Sequence, residues 1–411
     1  GIAGLSSAYA QQERGDEVEI LEAGEGVALD ASFGNGGLMT PNLCEPWNQP
    51  GISKMMVSAL LGGKGSMLRI HPKALPSLAF WGLKFLRNSS QAQFLASSEA
   101  QYRLSTYSQG LTRALVQEQG FAIKYQNNGM LQVFRDQASL DHAVGIHRQY
   151  DSFGLDYEVL DKAGALAREP HLQHSAGDLV GGVYYSDGSR GECPMFCEQL
   201  SALLQSGGAV LRTGCRVEKV LKEKGRAVGV LTNQGEVRAD RIIVALGNDA
   251  PALMRTAGVN LPVRPAKGYT ITVPVDAELP KTIMLDVGLH IGIIPIHADN
   301  TLRIGGGAEF AQMDRTFYGR YAESSYGNVE QTLPHLVPHL KRDQAKSWAG
   351  LRPVTYDGKP FIGASKVENL YVNGGLGHLG WTQGMGAGEM LADIIAGNQT
   401  AIDPLPYRLD R

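Results

Sequence analysis

Several short stretches of this chain hold side chains suited to binding an anion, a ribose or a carboxylate. Gly1, Ala3 and Gly4 in GIAG match the end of a G-x-G-x-x-G turn, with Gly1 as its second glycine and Gly4 as its third. Glycines there let the backbone approach a pyrophosphate, and the helix start that follows favours the anion. Glu22, followed by Ala23, closes DEVEILEA. An acid at a strand tip about 20 residues past the first glycine accepts ribose hydroxyls and repels a 2′-phosphate. Ser32, Gly34, Asn35, Gly36, Gly37 and Leu38 make a loop with little side chain. Such a loop turns N–H groups toward a flat or anionic ligand; alone, it is an ordinary glycine-rich turn. Arg352 stands in GLRP. A guanidinium grips a carboxylate through two parallel bonds; the other reading is a structural salt bridge. Tyr269, in KGYTI, either adds a hydroxyl to the same carboxylate or fills the core. His378 either bonds a ligand ring or is a satisfied structural histidine.

Helices and strands must hold these groups. After Gly4, LSSAYAQQERG reads as an apolar-faced helix stopping at Gly15, and Val18 and Ile20 alternate as in a strand. Residues 208–250 read as a strand, a meander and a buried strand, RIIVALG, ending on Gly247. In the C-terminal block, strand 369–375 leads to a glycine turn and a helix starting near Trp381 and Thr382. Ala387, Met390, Leu391, Ile394 and Ile395 share one face of that helix, and Gly397 stops it. Residues 292–306 read as a hairpin with an ADN turn.

Composition narrows the function. A chain of 411 residues has room for two domains. Net charge is −3 with interspersed signs, which argues against a nucleic-acid partner. Four dispersed cysteines, with Cys193 and Cys197 as a lone C-x3-C, suggest reduced thiols, no metal site and the cytosol. No apolar run is long enough to span a bilayer. LPSLAFWGLKFLRN (75–88) either lies on a bilayer surface or packs on its own protein. LGGKGSM (61–67) lacks the first glycine of a P-loop and reads as a plain loop.

Together these stretches resemble the D-amino-acid oxidase-like FAD flavoproteins over nearly the whole chain. GLRPVTYDGKPFIG and GLGHLGWTQGMGAGEMLAD carry the resemblance most specifically, with SFGNGGLMTP, GGVYYSDGSRGEC, ALGNDA and PVRPAKGYTI beside them. The resemblance implies an α/β fold: a Rossmann-like FAD domain interleaved with an α+β substrate domain on a mostly antiparallel sheet. We expect the FAD domain at 1–45, 176–250 and 350–411, and the substrate domain at 46–175 and 251–349. Gly1 and Gly4 would lie under the FAD pyrophosphate, with Ala3 between them, and Glu22 on the adenosine ribose. Ser32 and Gly34 to Leu38 would run along pyrophosphate and flavin. Val217 would offer its backbone to the adenine, with Gly247 also near the cofactor. Gly377, His378, Leu379, Gly380, Trp381 and Thr382 would lie against the pyrimidine edge of the flavin. Arg352 would hold the substrate carboxylate.

The implied reaction moves a hydride from an amino acid Cα to flavin N5, turning a D-amino acid into a 2-oxo acid and ammonia. Electrons would pass to a quinone or dye. Alternatives are oxidation of a cyclic secondary amino acid of the proline or hydroxyproline type, and a truncated flavoprotein without catalysis. Three departures stand out. The first glycine and its strand are not in this sequence, so the natural start is expected upstream. No cysteine occupies the positions expected for covalent attachment, which implies non-covalent FAD. An arginine that glycine oxidases carry near the position of Gly380 is missing. A cytoplasmic protein is expected, peripheral on the inner face of a bacterial inner membrane if 75–88 meets lipid.

Overall fold

The computed structural model describes residues 1–54, 56 and 68–411. The 61–67 loop lies outside the described residues. Helix Ile2–Gln12 follows the opening turn directly. Its buried Ser6 and Ser7 hydroxyls donate to the carbonyls of Ile2 and Ala3, each at 2.8 Å. These polar groups are therefore satisfied inside the core. Gly15, at φ 87°, turns the chain into strand Glu19–Leu21.

That strand runs parallel to Val210–Arg212. Strand Ile242–Val244 runs parallel to Leu370–Gly374, which pairs antiparallel with Phe361–Ala364. Between these lies an antiparallel meander of Val217–Glu223, Arg226–Thr232 and Gly235–Arg238. The pairing of Ile242 with Leu370 thus joins the middle of the chain to its C-terminal block in one layered unit.

Helix Gly380–Ala396 packs between Ile2–Gln12 and the long helix Gln91–Gln119. Close approach sets its glycines. A Cβ on Gly388 would stand 2.5 Å from the Ser6 carbonyl carbon, and one on Gly386 would stand 2.7 Å from Ser108 Cβ. The Gly386 N–H also donates to Ser108 Oγ at 2.9 Å. Gly397, at φ 72°, ends the helix in the left-handed region.

A nine-stranded sheet forms the other unit. Its path is Lys346–Thr355, Val263–Pro274, Thr301–Phe310, Ile291–Ile296, Ile283–Asp286, Met130–Phe134, Gly181–Tyr185 and Glu158–Asp161, with Leu68–Ile70 beside Thr301–Phe310. Two pairings are parallel, Ile283–Asp286 with Met130–Phe134 and Leu68–Ile70 with Thr301–Phe310; the others are antiparallel. The hairpin at 292–306 forms, with Ile296 opposite Thr301. Helix Gly319–Thr332 packs on one face through Val329, against Ile271, Val273, Leu302 and Ile304. The opposite face looks toward the 30–38 loop: Thr270 Oγ1 donates to the Gly34 carbonyl at 2.7 Å and Arg303 Nη1 to that of Asn35 at 3.1 Å.

The sheet reaches further along the chain than the expected boundaries. Gly181–Tyr185 and Lys346–Thr355 both belong to it, although 176–250 and 350–411 were expected in the other unit. Both segments pair only within the large sheet, and alternation along a strand does not reveal its partner.

Candidate active site

Glycine turns and helix starts gather at the C-terminal ends of the parallel strands, where α/β sheets bind ligands. Helices Ile2–Gln12 and Gly380–Ala396 begin there without side-chain caps, which leaves N–H groups and the positive dipole end available to an anion. Gly1 and Ser32 are close: the Ile2 N–H donates to Ser32 Oγ at 3.2 Å. Gly4 faces Ala245, just past strand Ile242–Val244, where an added Cβ would touch Ala245 Cβ at 3.7 Å. Ala3 is half-buried between them, and its carbonyl accepts from Asn373 Nδ2 at 3.2 Å.

Glu22 follows its strand, and its N–H bonds the Arg212 carbonyl at 2.9 Å. One carboxylate oxygen accepts the Gly24 N–H at 2.9 Å, which folds the turn past the exposed Ala23. The Glu22 carbonyl accepts the Cys215 N–H at 2.9 Å. Val217, two residues on, is thereby brought to the same corner. Gly247, at φ 53°, turns the next loop, where Asn248 Nδ2 donates to the Leu351 carbonyl at 2.9 Å.

Asn35 shapes its own loop. Its Nδ2 donates to the Ser32 carbonyl at 3.1 Å, and its Oδ1 accepts the Gly37 N–H at 2.7 Å. Gly34 lies under the Trp348 ring, and a Cβ on Gly34 would be 2.3 Å from that ring. Gly36 precedes Gly37, which sits at φ 75°. Leu38 begins a two-residue strand whose carbonyl accepts from Thr382 Oγ1 at 3.3 Å. Trp381 Nε1 donates to the Gly191 carbonyl at 3.0 Å. These bonds fix the start of the Gly380–Ala396 helix against the loop, with Leu379 buried beneath it and Gly380 as its first residue. Gly377, at φ 56°, has open space where a Cβ would project, and its N–H bonds the Pro353 carbonyl at 2.9 Å. That bond places the turn beside Arg352.

Arg352 donates to the Gly307 carbonyl at 2.8 Å and has no acidic partner among the described residues. Burial pushes its pKa down to about 10. A half-buried cation without a counter-charge favours an incoming anion. The Trp47 ring lies 5.9 Å from its Cζ, and the His378 ring stacks on Trp47 at 5.9 Å and 16°. His378 Nε2 lies 3.2 Å from the Leu43 carbonyl, so that nitrogen carries the proton. His378 keeps an exposed edge, but the protein packed around it and the Arg352 charge push its pKa down, and the ring is neutral near pH 7.

Tyr269 does not join this group. Strand alternation turns it to the helix-covered face, away from Gly268 and the Arg352 side chain. Its hydroxyl donates to Glu309, and its ring stacks on Tyr321 at 3.8 Å. Burial and these two partners push its pKa up. Burial would raise the Glu309 carboxyl, but bonds from Tyr269, Tyr321 and His71 outweigh it and hold it ionised. Tyr269 is therefore a core tyrosine bound to a buried carboxylate. Reading along the sequence alone missed Trp47, Trp348, Gly268 and Arg303; a lone tryptophan beside a glycine or proline run was the available signal.

The residues fit a cofactor with a pyrophosphate and a flat ring: two uncapped helix starts, a loop with little side chain, and open space over Gly377. Among the described residues no group of three or more potential ligands could hold a metal.

A family model described as FAD dependent oxidoreductase (DAO) matches residues 1–394. A D-amino acid dehydrogenase of Methylobacterium sp. (strain 4-46) is 36% identical over 408 residues, covering 98% of this chain and 95% of the relative. Another, from Allorhizobium ampelinum, is 33% identical over 413 residues, covering 100% and 96%. Glycine oxidase from Geobacillus kaustophilus shares the fold with a TM-score of 0.76 at 21% identity, covering 100% of this chain and 96% of that one. L-proline dehydrogenase from P. horikoshii does so with a TM-score of 0.77 at 17% identity, covering 99% and 94%.

Proposed function

From the premise that the chain belongs to the FAD-dependent oxidoreductase family, we propose that it oxidises free D-amino acids to 2-oxo acids and ammonia. The observation that carries this reading is the half-buried Arg352 guanidinium, without an acidic partner among the described residues, beside the Gly377 turn. Two parallel N–H bonds to the substrate carboxylate fix the direction of the Cα–H bond. Trp47 and the neutral His378 wall the same space. FAD, when bound, would supply a two-electron acceptor at N5 for the Cα hydride. Water then converts the released imine to the 2-oxo acid and ammonia.

Gly1, Ala3, Gly4 and Ser32 to Leu38 would hold the pyrophosphate and flavin, Glu22 the ribose, and Val217 and Gly247 the adenine side. The start of helix Gly380–Ala396 would stabilise negative charge on the reduced ring. FAD would be held without a covalent bond. Electrons leave to a quinone or dye, with the protein working from the cytoplasm at the inner face of a bacterial inner membrane. Anaerobic titration with D- and L-amino acids tests the reading. Bleaching of the visible flavin band by D-alanine and not L-alanine is expected; no bleaching by any D-amino acid overturns it.

A further inference from the structure

Three charged side chains meet in the interior behind the 32–38 loop. Arg190 is 1% exposed and Glu192 7%, and Arg303 is largely covered. Strand pairing sets Arg190 opposite Leu38. Arg190 Nη2 donates to one Glu192 carboxylate oxygen, and Arg303 Nη2 donates to the other at 3.1 Å. Arg190 Nη1 donates to the Lys124 carbonyl at 3.0 Å. Arg303 Nε donates to Thr272 Oγ1 at 3.0 Å, and its Nη1 holds the Asn35 carbonyl. Arg190 Nε is buried with no partner among the described residues.

Two guanidinium groups thus share one carboxylate, which leaves one net positive charge. The other acid that acts on Arg190, Asp299, is itself paired with Lys124. Burial pulls the Arg190 pKa down, yet an arginine side chain stays charged at neutral pH. A buried ion group of this kind adds little stability over apolar packing of the same volume, so stability does not account for the excess charge. Its position is informative. The two cations press on Gly37 itself: a Cβ there would stand 3.3 Å from Arg190 Nη2 and 3.4 Å from Arg303 Nη1. A charge so close behind a bare backbone acts through it on an anion at the loop, because the interior screens weakly.

We propose that Arg190, Glu192 and Arg303 set the reduction potential of the flavin, with their net positive charge raising it. The inference rests on the proposed placement of the flavin along Gly34 to Leu38. When the substrate Cα–H bond breaks, its electron pair and hydrogen form the N5–H bond, and the ring gains one negative charge. A fixed positive charge behind the loop favours that charged form over the neutral oxidised one. Arg190 and Arg303 act through the loop backbone and touch no reacting atom. Glu192 moderates them by cancelling one of the two charges.

The test is the midpoint potential of the FAD-loaded protein, read by equilibration with a reference dye during slow reduction without amino acid. Arg190→Met should lower the ratio of reduced to oxidised flavin about tenfold at a fixed potential, the scale of one unit charge in a protein interior. For a two-electron couple that is about 30 mV. Glu192→Gln, nearly isosteric, should raise the potential by a similar amount, and Arg190→Lys should leave it in place. Opposite signs for the Met and Gln variants are what a charge effect requires; a loss of loop shape would move both the same way. Should Arg190→Met fail to fold, the rise expected for Glu192→Gln decides alone. Shifts of the same sign, or no shift in the Gln variant, overturn the proposal. So does a changed FAD affinity with an unchanged potential, which would direct the charge to the pyrophosphate. Failure of the unaltered protein to take up FAD sinks the cofactor placement. Opposite shifts without bleaching by D-alanine sink the catalytic reading and leave this inference standing.

Discussion

The Arg352 guanidinium lies flat over Gly268: a Cβ at Gly268 would stand 2.3 Å from Cζ and Nη2 and 2.4 Å from Nη1. The two residues are near neighbours across paired strands, with Ala266 opposite Arg352 and Gly268 opposite Gly350. The space above Gly268 is thus what lets the guanidinium settle toward the Gly307 carbonyl. Gly268→Ala should displace the end of a flexible side chain and leave the backbone in place. Little change in melting temperature is expected, with kcat/KM for the amino acid falling by about a hundredfold, the scale of an ångström of misplacement. Unchanged kcat/KM would show that this seat does not matter.

Arg352→Lys keeps the charge and loses the fork. The carboxylate would swing, and Cα–H would leave its line of transfer. FAD content should hold while flavin reduction by D-amino acids slows about a hundredfold; reduction by dithionite should remain normal. Wild-type rates with unchanged affinity would move the carboxylate site elsewhere. Tyr269, bound to Glu309 on the far face, does not replace it.

Glu22→Gln should weaken FAD retention by at least about tenfold. One carboxylate oxygen is already committed to the Gly24 N–H. The amide keeps one acceptor and loses the charge, and bonds to charged groups contribute about 1.5–3 kcal/mol. Unchanged affinity in a titration of the apoprotein would make Glu22 a turn-forming acid only.

How much of this was legible in the sequence depends on how local each signal is. The Ile2–Gln12 helix, the short strand leading to Glu22 and the Gly397 stop are written in periodicity and glycine, and the structure has them there. The faces of the 263–274 strand were legible in principle. Arg352 and Tyr269 were nevertheless grouped, because sequence gives the alternation within a strand and not which face meets the ligand. Trp348 over Gly34 is a contact between residues far apart in the chain, set by pairing in the large sheet. The same pairing moved 181–185 and 346–355 into that sheet. The 75–88 segment was ambiguous because its helix is apolar on both sides, so periodicity could not choose the buried one.

His335 gives the chain an acid-sensitive joint. Its Nε2 lies 2.7 Å from His171 Nδ1, and its ring stacks on His174 at 4.0 Å. Burial, then the nearby His174, His171 and His339, hold its pKa down at about 4, below the ordinary 6.5. Between those values the unfolded chain binds a proton that the folded chain refuses. Stability from this site is therefore fully present above about pH 6.5 and lost as the pH falls toward 4. One pKa unit corresponds to about 1.4 kcal/mol, but the ring is only half-buried, and screening reduces the effect to about 1 kcal/mol. His335→Gln removes the titrating ring and leaves the other three histidines. Denaturant midpoints measured from pH 7 to pH 4.5 should fall less steeply for the variant than for the unaltered protein. Parallel slopes would show that protonation of this cluster is not what destabilises the fold in acid.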